Sequence, residues 1–336
     1  MDDSRDGIAA WREGRAGRIR LDRPAALNAL DLPMVRAIAA AMEGFRDDPA
    51  VHLVVVDSAA PRAFCAGGDI RALRDDLVAG RTEAVDTFFR EEYALDLAVA
   101  QFPKPWVALV DGACIGGGIG VSVHGSARVA TEGAMFAMPE TAIGLFPDIG
   151  ASFFLPRMPG AIGFYLALTG ARMKGADAVR AGFATHYVPR EAMPGLAEAL
   201  VRDGVAALAA HARALPPFGL APHRAAIDRC FSAGSVPEIL ARLAAEDTDW
   251  ARETTATLRA MSPSSLMWSH ALLRAGAGRD LAACLRAELA LAHAVTRHPD
   301  FLEGVRAMVV DKDRAPRWSP ATVEAVDPAA IAALAG

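Results

Sequence analysis

The stretch KPWVALVDGACIGGGIG, residues 104–120, decides the fold expected for this chain. It starts with a short apolar run at 106–110, which predicts a buried strand. Four glycines within residues 115–120 follow, and the apolar pattern then continues as a short helix. A strand that passes through a glycine-rich turn into a helix is typical of an α/β fold, so we expect such a core here.

The same alternation extends over more than half of the chain. GRIRLDRP (17–24) and VHLVVVDS (51–58) predict strands, and the pattern between them predicts a helix from about Pro33 to Phe45. ARVATEGAMFAM (127–138) is interpreted as one further strand. Beyond residue 190 the periodicity is almost wholly helical. We therefore predict an α/β core that carries the active site over residues 1–190 and a helical C-terminal region over 191–336.

Composition excludes several classes of function. The chain has 336 residues, 53% of them hydrophobic, and a net charge of -5, which argues against nucleic acid or an anionic membrane surface as the main partner. Its acidic N-terminus and the lack of a membrane-length apolar run predict a soluble, unsecreted protein. Four dispersed cysteines without a Cys-x-x-Cys pair argue against a disulfide framework or a zinc site and favour a reducing cytoplasm.

Two glycine loops are candidates for ligand binding. CAGGD (65–69) and IGGGIG (115–120) each follow a predicted strand and lead into a predicted helix. Glycine allows the backbone to approach a ligand closely, and a helix start presents unpaired N–H groups. Neither loop matches the dinucleotide or Walker patterns. The alternatives are an oxyanion-binding pair of N–H groups, a phosphate-binding loop of another kind, or simply tight strand-to-helix turns.

Three carboxylates stand in apolar surroundings. Glu140 and Asp148 lie in PETAIGLFPDIG (139–150), with no Lys or Arg before Arg157. Glu92 falls on the apolar stripe of a predicted helix, whereas Glu91 falls off it and is expected to be solvated. Removing a carboxylate from water is costly unless it is paired, so these acids are candidates for chemistry. For Glu92 the alternative is a helix-edge acid paired to an arginine.

The motifs FCAGGDI, KPWVALVDGACIGGGIG and FAMPETAIGLFPDIG, in this order, resemble the enoyl-CoA hydratase/isomerase (crotonase) superfamily. The resemblance implies a crotonase-like spiral of ββα units followed by a helical C-terminal region. It also implies an acyl-CoA thioester substrate whose carbonyl oxygen is bound by the backbone N–H groups of Gly68 and Gly117, an oxyanion hole.

Within the superfamily the chain resembles the 3-hydroxyisobutyryl-CoA hydrolase branch. Hydratases carry a second glutamate where this chain has Gly120, whereas Asp148 stands where they usually have no acid. The late motif DFLEGVRAMVVDKDRAPRW (300–318) also resembles this branch. The resemblance implies hydrolysis of a short 3-hydroxyacyl-CoA in valine breakdown, with Glu140 and Asp148 catalytic. It places Glu92, Gly117, Glu140 and Asp148 at the substrate.

The resemblance also carries expectations about partners. No metal or separate cofactor is expected, because CoA is part of the substrate, and a homo-oligomer is compatible with the superfamily. Gly144 and Pro147 permit a turn that would bring Glu140 and Asp148 to the same thioester. Two alternatives stay open at this point: an enoyl-CoA hydratase or isomerase of the same superfamily, and a non-catalytic acyl-CoA-binding protein.

Overall fold

A computed structural model describes residues 6–329 and 331. Its strands belong to two sheets, one of six strands and one of four. In chain order the strands are β1 (Ile8–Glu13), β2 (Ala16–Leu21), β3 (Leu53–Ser58), β4 (Ala63–Cys65), β5 (Trp106–Val110), β6 (Ala113–Ile115), β7 (Ala127–Ala130), β8 (Met135–Ala137), β9 (Met173–Lys174) and β10 (His186–Tyr187).

The α-helices dominate the second half of the chain. In chain order they are α1 (Leu32–Asp47), α2 (Ile70–Val78), α3 (Thr82–Ala100), α4 (Gly117–Val123), α5 (Ala151–Phe154), α6 (Ile162–Thr169), α7 (Gly175–Ala181), α8 (Met193–Asp203), α9 (Ala207–His211), α10 (Arg224–Phe231), α11 (Val236–Glu246), α12 (Asp249–Ala260), α13 (Pro263–Gly276), α14 (Leu281–Val295) and α15 (Pro299–Val305). Within the described residues, none of these helices is long and apolar enough to cross a membrane.

The larger sheet has the order β1-β2-β3-β5-β7-β10. Only β1 and β2 pair in an antiparallel way, and the other neighbours are parallel. All five residues of β5 are buried, as are the first four of β3. A parallel sheet covered on both faces requires such continuous apolar runs, which is why the sequence predicted these two strands well.

The smaller sheet, in the order β4-β6-β8-β9, carries the two glycine loops. β4 and β6 are parallel, so the loops that follow Cys65 and Ile115 leave the same edge of the sheet. The sequence did not predict this sheet. Residues 127–138, interpreted as one strand, form β7 and β8 in different sheets, because a turn in which Ala134 N–H donates to Thr131 O separates them.

Helix α1 shows how local signals set an element. Asp31 caps its first turn by accepting a hydrogen bond from the Met34 N–H, and a proline stands in that turn. Its buried face contains Met34, Val35, Ile38 and Met42. The predicted helix from Pro33 to Phe45 is confirmed, and the structure extends it slightly at both ends.

Close contacts divide the chain into two compact units. Unit 1 contains the described residues of Met1–Asp69, Glu91–Phe136 and Met173–Phe218, and with them nearly all of both sheets. Unit 2 contains the described residues of Ile70–Arg90, Ala137–Arg172 and Gly219–Gly336, and it is mainly helical. The domain boundary expected near residue 190 stays a prediction about independent folding units.

Within unit 2, Gly304 of α15 allows a close backbone approach that supports the loop containing Glu140. A β-carbon at Gly304 would lie 2.6 Å from Ile143 Cα. We expect Gly304→Ala to lower the free energy of unfolding by about 1–3 kcal/mol, because backbone atoms would have to move apart. Gly44→Ala, in α1, is the control: a β-carbon there meets nothing within 4 Å, and we expect a gain of about 0.5–1 kcal/mol. Urea unfolding of both variants measures these changes, and equal stability of Gly304→Ala and the wild type would contradict the packing.

Candidate active site

The first glycine loop of unit 1 is held by Leu30. The Leu30 N–H donates to Gly67 O at 2.7 Å, and the Asp69 N–H donates to Leu30 O at 2.8 Å, which together make a parallel bridge between Leu30 and Gly68. In such a bridge the hydrogen bonds belong to the residues flanking Gly68. The N–H of Gly68 itself therefore points to the side away from Leu30.

The second glycine loop places Gly117 next to Gly68. A β-carbon at Gly117 would lie 3.3 Å from the Gly68 nitrogen, and one at Gly67 would lie 3.7 Å from the Gly117 nitrogen. Gly117 begins α4, and the N–H groups of a first helical turn have no acceptor within the helix. Two backbone amides of unit 1 are thus close together at the edge where both loops end.

Glu92 lies against the same glycine. Its side chain is 2% exposed, and a β-carbon at Gly117 would collide with its Oε1 atom. Position 117 therefore accepts only glycine while Glu92 keeps this place. Glu91, in contrast, forms a partly exposed ion pair with Arg36 at 2.7 Å. The predicted burial of Glu92 is confirmed, whereas Glu91, expected to be solvated, is partly exposed and paired with Arg36.

A further acid of unit 1, Asp96, was missed by the sequence reasoning. It lies one helical turn after Glu92 on α3 and is fully buried. A β-carbon at Gly120 would lie 2.5 Å from Asp96 Oδ1, so a longer side chain at position 120 would require Asp96 to move. The sequence could have revealed Asp96, because it follows Glu92 by four residues and therefore lies on the same face of the helix.

The acid loop, residues 139–150, belongs to unit 2. Glu140 and Asp148 are only 6% and 5% exposed, respectively. Glu140 starts a 3-10 turn (Glu140–Ile143) that Gly144 caps, and the φ of 71° at Gly144 is the left-handed conformation favoured by glycine. The Ser262 N–H donates to Thr141 O at 3.0 Å and anchors this turn. Both acids are buried as predicted, and their convergence on one substrate stays a prediction.

Glu288 of α14 contacts the end of the acid loop. Its Oε2 accepts a hydrogen bond from the Gly150 N–H at 2.6 Å, and its Oε1 accepts from the Ser152 N–H at 2.9 Å and the Ser152 hydroxyl at 2.5 Å. Burial raises the pKa of Glu288 to about 8, although these donors favour the anion, and the charge of Asp148 raises it further. The sequence reasoning missed Glu288, which lies within a buried apolar stripe of its helix just as Glu92 does.

The turn after Asp148 is conformationally demanding. Ile149 has a φ of 55° and Gly150 a φ of 83°, so two successive residues are left-handed. For a β-branched residue this region is a true outlier, costing on the order of 1–3 kcal/mol. Such a conformation persists only where neighbouring groups hold it, and the hydrogen bonds of Glu288 are placed to do so.

The cysteines are poor nucleophiles in this structure. All four are free and buried. Burial raises the pKa of Cys65, beside the first glycine loop, to about 12, so its thiol stays protonated at neutral pH. Within residues 6–329 and 331, no group of three or more His, Cys, Asp or Glu side chains is arranged to hold a metal ion.

Known structures share this architecture. A carnitinyl-CoA dehydratase from Mycobacterium thermoresistibile superposes with a TM-score of 0.94 at 38% identity, covering 99% of this chain and 97% of the other. An enoyl-CoA hydratase from Rhodobacter sphaeroides 2.4.1 superposes with a TM-score of 0.93 at 44% identity, covering 98% and 97%. The predicted fold class is therefore confirmed: the chain has the crotonase fold, with a helical C-terminal region.

The sequence pattern of the enoyl-CoA hydratase/isomerase family matches residues 16–335, and the chain belongs to this family. Among curated proteins it is similar to the mitochondrial 3-hydroxyisobutyryl-CoA hydrolase of Xenopus tropicalis, with 45% identity over 94% of this chain and 85% of that protein. The resemblance inferred from the motifs is thereby confirmed.

The predicted cytoplasmic location is wrong by this comparison. The similar hydrolases from Xenopus tropicalis, Xenopus laevis and Homo sapiens are all named as mitochondrial enzymes. The prediction rested on unpaired cysteines and an acidic N-terminus. Free thiols are compatible with any reducing compartment, so they did not single out the cytoplasm.

Glu288 should make the stability of this protein depend on pH. Its pKa of about 8 in the folded chain lies above the ordinary value of 4.5, so between these values the folded protein keeps a proton that the unfolded chain has lost. Its contribution to stability is therefore complete below about pH 4.5 and falls as pH rises to about 8. Glu288→Gln cannot lose a proton, so the Tm of the wild type relative to this variant should fall over that range.

Calorimetry of both proteins from pH 5 to pH 9 measures this difference. Asp148 and Cys284 interact electrostatically with Glu288 and are present in both proteins. Their own contributions to the pH dependence of Tm therefore largely cancel in the difference. A Tm difference that stays constant between pH 5 and pH 8 would show that Glu288 titrates normally.

Proposed function

We propose that this protein hydrolyses a short 3-hydroxyacyl-CoA thioester, namely 3-hydroxyisobutyryl-CoA, to 3-hydroxyisobutyrate and CoA. The observation that carries the proposal is the 45% identity, over 94% of the chain, to a curated 3-hydroxyisobutyryl-CoA hydrolase. The buried acids Glu92, Glu140 and Asp148 support it, because hydrolysis requires groups that accept and deliver protons.

The N–H groups of Gly68 and Gly117 bind the carbonyl oxygen of the thioester in this proposal. Negative charge develops on that oxygen when the carbonyl carbon is attacked, and two preorganised backbone donors stabilise it. Their closeness in unit 1 and the requirement for glycine at position 117 support the assignment.

Glu140 carries the central step in one of two ways. As a nucleophile it attacks the carbonyl carbon, the carbon–sulfur bond breaks, CoA leaves as a thiolate that takes up a proton, and water then hydrolyses the mixed anhydride. As a general base it removes a proton from a water that attacks the same carbon, the carbon–sulfur bond breaks, and CoA leaves as a thiolate that takes up this proton. Asp148 orients the water or shares the proton with Glu140, and Glu92 accepts a hydrogen bond from the 3-hydroxyl group of the substrate.

The acyl-CoA substrate is the only partner that this proposal requires. CoA is part of that substrate and hydrolysis consumes only water, so no separate cofactor is proposed. A homo-oligomer, which the superfamily suggests, stays a prediction that sedimentation can check.

Hydration of an enoyl-CoA is the second candidate, because one similar solved structure, 44% identical, is described as an enoyl-CoA hydratase. Asp96 argues against it. Its carboxylate takes up the space into which a side chain at Gly120 would extend, so a second catalytic glutamate cannot stand there without displacing Asp96. The buried acids Glu92, Glu140 and Asp148 weigh against a protein that only binds acyl-CoA, since binding alone needs no buried acids.

Release of free CoA thiol from 3-hydroxyisobutyryl-CoA tests the proposal directly. We expect turnover by the wild type and a loss of at least about 100-fold in kcat for Glu140→Gln, because the amide neither attacks nor accepts a proton. Glu91→Gln, which weakens a partly exposed ion pair with Arg36, is the control and should stay near wild type. Conversion of crotonyl-CoA without any thiol release would instead identify a hydratase, and binding without turnover a non-catalytic protein.

Gly117→Ala tests the oxyanion hole. The new methyl group would collide with Glu92 and come within 3.3 Å of the Gly68 nitrogen, so the two amides could no longer keep their positions. We expect kcat to fall by about 100- to 1,000-fold, as when one oxyanion donor is lost. Gly44→Ala serves as the control, and a Gly117→Ala enzyme with normal kcat would rule out this role.

A further inference from the structure

Glu288 is a fully buried carboxylate that the proposed reaction does not itself use. It belongs to the buried face of α14, together with Cys284, Leu285, Leu291 and Val295. An acid on an apolar helix face is costly unless donors satisfy it. Its donors are the backbone N–H groups of Gly150 and Ser152 and the Ser152 hydroxyl, so these contacts are directed at the segment that follows Asp148.

That segment depends on outside support. Ile149 and Gly150 are both left-handed, and the Ala151 N–H donates back to Asp148 O at 2.9 Å to close the turn. A left-handed isoleucine relaxes unless its surroundings prevent it. Glu288 accepts from the residue directly after Ile149 and again two residues later, so it holds the backbone on the far side of the unfavourable residue.

We propose that Glu288 is a positioning residue for thioester hydrolysis: it clamps the 149–152 turn and thereby holds the Asp148 carboxylate in one orientation. This inference rests on the role of Asp148 in the proposed function. Glu288 acts through the backbone of the turn and does not touch the substrate. A displacement of about 1 Å at a reacting group can cost about 100-fold in rate, so loss of the clamp should reduce catalysis.

Glu288→Gln is the matched substitution because it keeps the volume of the side chain. A carboxyl group can accept a hydrogen bond at both oxygens with or without its proton, whereas the glutamine amide has one accepting oxygen and an NH2 group that can only donate. The three donors of Gly150 and Ser152 therefore cannot all be satisfied, and the turn is released on at least one side.

The experiment compares kcat and KM for 3-hydroxyisobutyryl-CoA in the wild type, Glu288→Gln and Leu243→Ala at a temperature where all three are folded. Leu243 is buried in α11 of unit 2 and contributes packing only, so its truncation lowers stability without removing a bond to the turn. We expect Glu288→Gln to lower kcat by about 10- to 100-fold with KM changed by less than about twofold. Leu243→Ala should keep the wild-type kcat.

Two results would overturn the inference: a wild-type kcat for Glu288→Gln, or an equal loss of kcat in Leu243→Ala at equal loss of Tm. If Glu288→Gln does not fold, Ser152→Ala decides, since it removes the hydroxyl bond and keeps the acid. A several-fold lower kcat supports the clamp, and an unchanged kcat rejects it. Asp148→Asn distinguishes a failure of the proposed function from a failure of the Glu288 inference. Normal hydrolysis by that variant refutes the proposed role of Asp148 itself.

Discussion

The close approach of two backbone segments in unit 1 is the constraint on which the rest of the site depends. β4 and β6 are parallel neighbours, so their following loops leave the sheet side by side. Gly118 allows α4 to begin against the backbone of Cys65, since a β-carbon there would lie 2.6 Å from Cys65 O. This approach brings the amides of Gly68 and Gly117 together, and a side chain at position 117 or 118 would separate the two segments.

Buried carboxylates are the second organising feature. Each must be compensated by donors or by a changed pKa, because desolvation disfavours the charged form. Glu288 shows the balance most clearly: three hydrogen-bond donors face it, and burial still raises its pKa. The hydrogen bonds that Glu288 accepts from Gly150 and Ser152 suit it to hold the loop that follows Asp148. In the two proposals made above, buried acids of one chain thus serve both proton transfer and the positioning of a loop.

Several elements could be predicted because their signals are local. The apolar runs of β3 and β5 and the capped, amphipathic α1 depend on neighbouring residues only. Glu92 was found because an acid on an apolar helix stripe is conspicuous. The small sheet was not predicted, since its strands are only two or three residues long and are separated widely along the chain. Asp96 and Glu288 carried the same signal as Glu92, yet their importance became visible only through their contacts with Gly120 and with Gly150.

The sequence by itself determined the class of fold, the two glycine loops and the acids Glu92, Glu140 and Asp148 as candidates, because spacing and polarity are properties of the chain. Tertiary structure alone decided which groups meet. It placed Gly68 beside Gly117, Asp96 against Gly120 and Glu288 on the turn after Asp148. These residues are distant along the chain or lie on different elements, and only packing converts such separations into contacts of about 3 Å.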